Sequence, residues 1–281
     1  MRKATVTARA KLNLTLDVLG VKDGYHEIES LVCSVSSADK IIVRERKDNR
    51  ITLSMKGIAV GCSITDNNAY KTARLFKEKY GTRGVDIIIE KGIPVGGGLG
   101  GSSADVAGVV NAMKKIYPID GDGGEIVDAL CSDGRYMMGG GYAVISGRGN
   151  QVRAVSVEKT LYFIIVTENQ MVSSRACYGE YDAQGITYPA VTEKAVKALE
   201  NGDDKEFFSL LKNDLFKGAV SLLEKINENY SVLKTVGSPA VVMTGSGSAV
   251  YGVYADKKQR DADYKKLLPI LGEKMIKSQT V

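Results

Sequence analysis

The sequence predicts an α+β protein in two domains, and three observations carry that prediction. Strand patterns come as a run over the first sixty residues and helix patterns follow, without the strict alternation of a doubly wound parallel sheet. The 281 residues suffice for one large core or two of ordinary size. A polar stretch, RGNQVRAVSVEKT, separates two sets of elements and puts the boundary near residues 150 to 158.

Taken in order, ATVTARAKLNLTLDVLG (4–20) alternates polar and apolar residues and reads as one or two strands. KDGYHE carries the Asp-Gly signal of a tight turn. ESLVCSVSSADKIIVRERKDNRITLSMKG (29–57) predicts three more short strands, with turns at Asp39–Lys40 and Lys47–Asn49. TDNNAYKTARLFKEKYG predicts a helix capped by Thr65 or Asp66 and closed by Gly81. GVDIIIEKGIPV is a strand, PVGGGLGGSSAD a glycine loop, and a helix starts at Ser103. A loop (PIDGDGG), a short helix (EIVDAL) and a strand between glycines (GGGYAVISGRG) complete the first half. After residue 160 come a buried strand (LYFIIV), three helices up to residue 237, a strand pair around TGSGS, and a final helix over ADYKKLLPILGEKM.

Composition excludes several classes. With 44% hydrophobic and 25% charged residues the chain is globular. Its net charge of +5, with basic residues scattered, suits an anionic small molecule as well as a nucleic acid. Cys33, Cys62, Cys131 and Cys177 are isolated, which speaks against a metal site or disulfide framework and for reduced thiols. MRKATVTARAKLN lacks the apolar stretch of a signal peptide, and the longest apolar runs fall far short of the roughly 20 residues of a membrane span. The expectation is a soluble, cytoplasmic protein.

Five glycines lie between residues 96 and 101, immediately before a helix. Three readings compete. A packing turn is one. Gly96, Gly98 and Gly101 also fit G-x-G-x-x-G, but no strand with an acidic residue follows at the distance a dinucleotide-binding unit requires. A Walker loop fails because no lysine follows the last glycine. The third reading fits best: backbone N–H groups of Gly96 to Gly101 converge on a phosphate, and the following helix adds the positive end of its dipole. Ser102 and Ser103 supply hydroxyls for phosphate or, at Ser103, for Mg²⁺, a hard cation that prefers oxygen.

PVGGGLGGSSA resembles the phosphate-binding motif of the GHMP kinases, P-x-x-x-G-L-G-S-S-A, with Gly101 as one extra glycine. Further stretches are similar to that family in the same order: AKLNLTLDVLGVKDGYHEIES, DNNAYKTARLF, VSSRACY, and NDL followed by VVMTGSGSAVYGVY. The resemblance implies a two-domain GHMP kinase fold, with a ribosomal protein S5 domain 2-like domain over 1–153 and a ferredoxin-like domain over 154–281. It implies an ATP-dependent kinase with ATP and Mg²⁺ as cofactors. Its ATP contacts would be Pro94, Val95, Gly96, Gly97, Gly98, Leu99, Gly100, Gly101, Ser102, Ser103 and Ala104, with Asn67 near the nucleotide or merely capping its helix.

Phosphoryl transfer needs reactants positioned and charge neutralised rather than covalent chemistry. By the resemblance, Lys11 holds the acceptor oxygen and Asp133 accepts its proton. The YH turn points to the branch whose acceptor is an alcohol linked to cytidine diphosphate. There Tyr25 stacks on the cytosine, His26 hydrogen-bonds its edge, Tyr178 supplies a second aromatic face and Ser174 lies nearby. Asn13 would meet the polyol, and Gly245 and Ser246 would close over the substrate. The partner is then a small molecule, not nucleic acid or membrane, and the protein a monomer or homodimer. Two alternatives fit the same motifs: a GHMP kinase for another small alcohol, or a catalytically impaired paralogue that binds nucleotide. CSDGRYMMGGG motivates the second, because Gly134 and Arg135 replace the family's Val-Pro and the preceding segment is short.

Overall fold

A computed structural model describes residues 1–57, 61 and 63–281, so Cys62 lies outside the described residues. In chain order the elements are β1 (Lys3–Asn13), β2 (Thr15–Lys22), β3 (Tyr25–Glu45), β4 (Thr52–Gly57), α1 (Asn68–Tyr80), β5 (Val85–Lys91), α2 (Gly101–Ile116), α3 (Gly124–Asp128), α4 (Gly134–Gly139), β6 (Tyr142–Gly147), β7 (Gln151–Ala154), β8 (Tyr162–Val166), α5 (Ser174–Gln184), α6 (Thr192–Glu200), α7 (Asp204–Leu210), β9 (Lys212–Asn213), α8 (Phe216–Leu222), α9 (Lys225–Lys234), β10 (Ala240–Met243), β11 (Val250–Tyr254), α10 (Lys257–Leu271) and β12 (Met275–Gln279). The class is α+β, as the pattern predicts. The backbone gathers into two compact units.

One unit comprises Met1–Ala10, Ser37–Val95 and Gly100–Gly140. In it β4 runs parallel to β5, and β5 pairs antiparallel with Lys40–Glu45 of β3. Helix α2 is apolar nearly all round because neighbours cover it on several sides. At Gly108 it approaches the sheet so closely that a Cβ would stand 2.7 Å from the Ile41 side chain. Helix α1 is capped by Asn67, not by Thr65 or Asp66: its side chain accepts the Ala69 N–H at 2.9 Å, and Gly81 closes the helix at φ 62°.

Two further expectations are corrected here. Asp39–Lys40 is no turn, and β3 continues through it. The carboxylate of Asp39, buried, accepts the N–H groups of Gly92 (2.7 Å) and Ile93 (2.9 Å) and the Lys91 ammonium (2.5 Å). Aspartate favours turns because it satisfies nearby backbone; here it satisfies a loop distant in sequence. Helix α2 starts at Gly101 rather than Ser103, with Gly100 as N-cap at φ 74°.

The other unit comprises Lys11–Ser36, Gly96–Leu99 and Gly141–Val281. The β2–β3 hairpin turns at Asp23 (φ 52°) and Gly24 (φ 76°), the paired positive dihedrals that match strand twist. Ile28–Cys33 of β3 pairs antiparallel with β6, β6 with β7, and β2 runs parallel to β9. A second sheet has the order β10-β11-β8-β12, antiparallel throughout. Phe163–Val166 of β8 are buried without alternation, as LYFIIV predicts. The polar stretch at 148–160 holds strand β7, which pairs as an exposed edge. Among the described residues no helix is long and apolar enough to cross a membrane, and no group of three or more His, Cys, Asp or Glu could hold a metal ion.

Candidate active site

Strand alternation puts Lys11 and Asn13 on one face of β1, and both are buried, 4% and 1% exposed. A buried ammonium requires oxygen partners. Lys11 Nζ donates to Asn13 Oδ1 at 2.5 Å, and its backbone N–H bonds the Leu99 carbonyl at 3.0 Å. The same Asn13 oxygen accepts the Gly245 N–H (2.9 Å) and the Thr244 hydroxyl (3.2 Å), while Asn13 Nδ2 donates to Ser30 Oγ (2.8 Å). Asn13, expected at the polyol, thus gives its carboxamide oxygen to Lys11 and the TGSGS turn. A Cβ on Gly245 would stand 3.7 Å from Lys11 Nζ, so the turn passes directly by the ammonium.

That turn is anchored from several sides. Asn213 Nδ2 donates to the carbonyls of Met243 and Gly245, both at 2.8 Å. Ser248 is buried and donates to the Gln170 carbonyl at 2.8 Å. Ser246 Oγ lies 3.0 Å from Ser174 Oγ, which brings two predicted substrate residues together. Gly96 and Gly98 have φ of 80° and 74°, the left-handed region that favours glycine. A Cβ on Gly98 would stand 2.3 Å from the Thr244 carbonyl oxygen, and one on Gly97 3.2 Å from the Ala249 methyl.

The remaining predicted phosphate residues belong to the first unit, where Pro94 is half-buried and Val95 is exposed. The first turn of α2 has neither a side-chain cap nor an acidic residue. Ala104 N–H bonds the Gly100 carbonyl at 2.8 Å, and the N–H groups before it face the open end of the helix, where an anion is stabilised. Ser102 is exposed and its hydroxyl accepts from Asn68 Nδ2 at 3.2 Å, directed at α1. Ser103 hydrogen-bonds the Cys131 thiol, whose pKa burial raises against that bond. Asn67 caps α1. Behind the loop Lys91 Nζ bridges Asp39 and Asp105 (2.5 and 2.9 Å), and burial lifts the Asp105 carboxyl to about 7.

Asp133, half-buried, stands at the N-cap of α4, a helix the sequence does not announce. The replaced Val-Pro has a local physical reason. A Cβ at Gly134 would come within 2.0 Å of Val127 and 2.7 Å of the Cys131 sulfur. Arg135 pairs with Asp122 (2.8 Å) and forks onto Asp128 (2.7 and 2.9 Å), tying α4 to the shortened segment and α3. A Cβ on Gly124 would strike that guanidinium at 1.9 Å.

In the second unit, His26 stacks on Tyr178 (centroids 4.5 Å apart, 22° between planes) and meets Tyr181 edge-on. His26 Nε2 is 2.8 Å from Asp182 Oδ1. Tyr25 is 57% exposed, with the Arg148 guanidinium 3.7 Å from its ring centroid. An open groove of about 250 Å³ lies beside His26, between Val18–Val21 and Gly185–Thr187. The structure therefore gathers Tyr178 and His26 into one aromatic cluster, and one face of Tyr178 is covered by the imidazole. Asp182, Arg148 and Ser30 are not singled out by the sequence, whereas Thr244 is, as the first residue of the TGSGS turn.

Residues 67–152 match the model of the GHMP kinases N terminal domain, and residues 195–273 that of the GHMP kinases C terminal. The 4-diphosphocytidyl-2-C-methyl-D-erythritol kinase of Bacillus cereus (strain B4264) is 32% identical over 260 residues, spanning 89% of this chain and 88% of that protein. A crystal structure of 4-(cytidine 5'-diphospho)-2C-methyl-D-erythritol kinase superposes with a TM-score of 0.83 at 27% identity, covering 99% of both chains. Homoserine kinase from Cytophaga hutchinsonii shares the fold, with a TM-score of 0.73 at 15% identity over 100% of this chain and 95% of its own.

Proposed function

This chain belongs to the GHMP kinases, and on that premise we propose that it is an ATP-dependent kinase phosphorylating the 2-hydroxyl of 4-diphosphocytidyl-2-C-methyl-D-erythritol, a step of non-mevalonate isoprenoid precursor synthesis. The observation that supports this most is the buried Lys11 ammonium, aimed by Asn13 beside the TGSGS turn and carried on β1, which pairs with β3, the strand that bears Tyr25 and His26.

The residues present suit ATP. A helix N-terminus without cap or acid, following glycines at positive φ, offers N–H groups to phosphate oxygens. Mg²⁺ carried with ATP would take the Ser103 hydroxyl among its oxygen ligands and offset phosphate charge. Lys11 holds the acceptor oxygen and counters its developing negative charge. Asp133 accepts the hydroxyl proton. Gly134 and Arg135 support the segment that carries Asp133, which argues against the impaired-paralogue reading.

Tyr25, exposed on β3, offers its ring to the cytosine, and His26 and Tyr178 form a separate stacked aromatic pair in the same unit. Stacking is worth roughly 1–3 kcal/mol per base. For this reason the cytidine-linked alcohol is preferred over homoserine or mevalonate. Residues 1–153 act as the domain of the phosphate loop and 154–281 as the second domain, in a cytoplasmic monomer or homodimer. The test is ADP release with each alcohol in turn, for the native chain and for Asp133→Asn. Transfer confined to the cytidine-linked alcohol, lost in the variant while ATP still binds, is the expected result. Equal turnover of homoserine would reject the substrate, and an active Asp133→Asn would reject the base.

A further inference from the structure

We propose that Ser30, which the kinase reading leaves without a role, is a positioning residue for the transfer: it fixes the Asn13 carboxamide so that its oxygen faces Lys11. The inference rests on that reading of Lys11, but the placement follows from donors and acceptors alone. Ser30 is fully buried and its hydroxyl donates its one proton to the Thr15 carbonyl. Only lone pairs remain for Asn13, so the group facing Ser30 must be the carboxamide NH₂, 2.8 Å away. The oxygen must then point at groups that can only donate, and two of these are there: the Lys11 ammonium at 2.5 Å and the Gly245 N–H at 2.9 Å.

A polar line thus runs from Lys11 through Asn13 and Ser30 to Thr15. Thr15 is itself held, because its hydroxyl accepts the Leu31 N–H at 2.9 Å and lies 2.7 Å from the Thr192 hydroxyl. Every member is at most 4% exposed. Water cannot replace a missing partner cheaply there, and an unmade bond at Ser30 leaves a buried donor on Asn13. Removing the Ser30 hydroxyl loosens the aim of Lys11 and of the Gly245 end of the turn together.

The experiment compares Ser30→Ala, Ser30→Cys and Ser30→Thr in the full chain. Steady-state kinetics are run with MgATP and the cytidine-linked alcohol varied separately, and nitrogen–proton spectra are recorded of the Asn13 side-chain amide, identified by Asn13→Asp. In Ser30→Ala, kcat should fall roughly 10- to 100-fold with the KM for ATP within about twofold, while Ser30→Thr stays within about threefold of native. The Asn13 amide resonances should move in Ser30→Ala and stay put in Ser30→Thr. A folded Ser30→Ala with native kcat, or an equal loss in Ser30→Thr, overturns the proposal. If Ser30→Ala does not fold, Ser30→Cys, nearly the same volume with a weak acceptor, is read by the same criteria. If the native chain transfers no phosphoryl group to the alcohol, the kinase reading fails separately. The amide spectra then decide on Ser30 alone, and unmoved resonances in Ser30→Ala reject it.

Discussion

Gly98→Ala tests the glycine loop at its tightest point. The added methyl would lie 2.3 Å from the Thr244 carbonyl oxygen and 3.1 Å from that of Gly247. A carbon–oxygen contact needs about 3.3 Å, so the loop and the TGSGS turn must part by about 1 Å. Both obstacles are backbone, and neither can rotate aside. Alanine at φ 74° adds a left-handed cost of roughly 1–2 kcal/mol to an overpacking cost of roughly 1–3 kcal/mol. About 3 kcal/mol in total lowers Tm by roughly 6–12 °C for a chain of this size. A displacement of about 1 Å at the phosphate grip should also cut kcat/KM for ATP by about 100-fold. Gly121→Ala is the control, with φ 93° and nothing within 4 Å of its added methyl; it carries the dihedral cost without the collision and should leave kinetics unchanged. The two are compared by thermal unfolding and by initial rates over a range of ATP. If Gly98→Ala matches Gly121→Ala in both, the close approach of loop and turn has no energetic weight and the reasoning is wrong.

Three other predictions follow from separate features. Gly134→Val should destabilise by about 1–3 kcal/mol in urea unfolding, since Val127 and Cys131 must shift to admit it; an unchanged midpoint would contradict the packing described. Burial lifts the Asp105 carboxyl to about 7, opposed by the charge of Lys91 and reinforced by that of Asp39. The folded chain therefore keeps a proton that the unfolded chain has released, and stability contributed by this group declines as pH rises from about 4 to about 7. Asp105→Asn should flatten that decline in urea midpoints measured across the range, and an equal slope in both proteins would remove Asp105 from the account. Tyr25→Ala should raise the KM for the cytidine-linked alcohol about tenfold and leave that for ATP alone, because stacking acts on one substrate only; equal changes in both would argue against a base at Tyr25.

Local signals in the sequence translate well into the fold. Asp23–Gly24 needs only its own dihedral preferences to make a hairpin, and LYFIIV needs only its apolarity to become the buried strand β8. Where the sequence misleads, a distant partner decides. Asp39 reads as a turn residue until Lys91 and the N–H groups of Gly92 and Ile93 are seen to require it. Strand β7 hides in a polar stretch because all four residues are exposed at an edge, and β12 pairs with a strand more than a hundred residues earlier. The same division holds for the candidate site. The phosphate loop announces itself by composition, whereas Asp182, Arg148 and Ser30 matter through neighbours that no spacing rule brings together.

The Arg135 fork has a consequence for how this chain can change. Gly134, Arg135, Asp122, Asp128 and the bare Cα of Gly124 fit one another, so their substitutions are epistatic. Restoring valine at 134 alone meets Val127, and losing Arg135 alone leaves two aspartates without their cation. A lineage or an engineer that replaces these residues one at a time crosses a valley. Residues 118 to 135 behave as a cassette, to be exchanged in one piece.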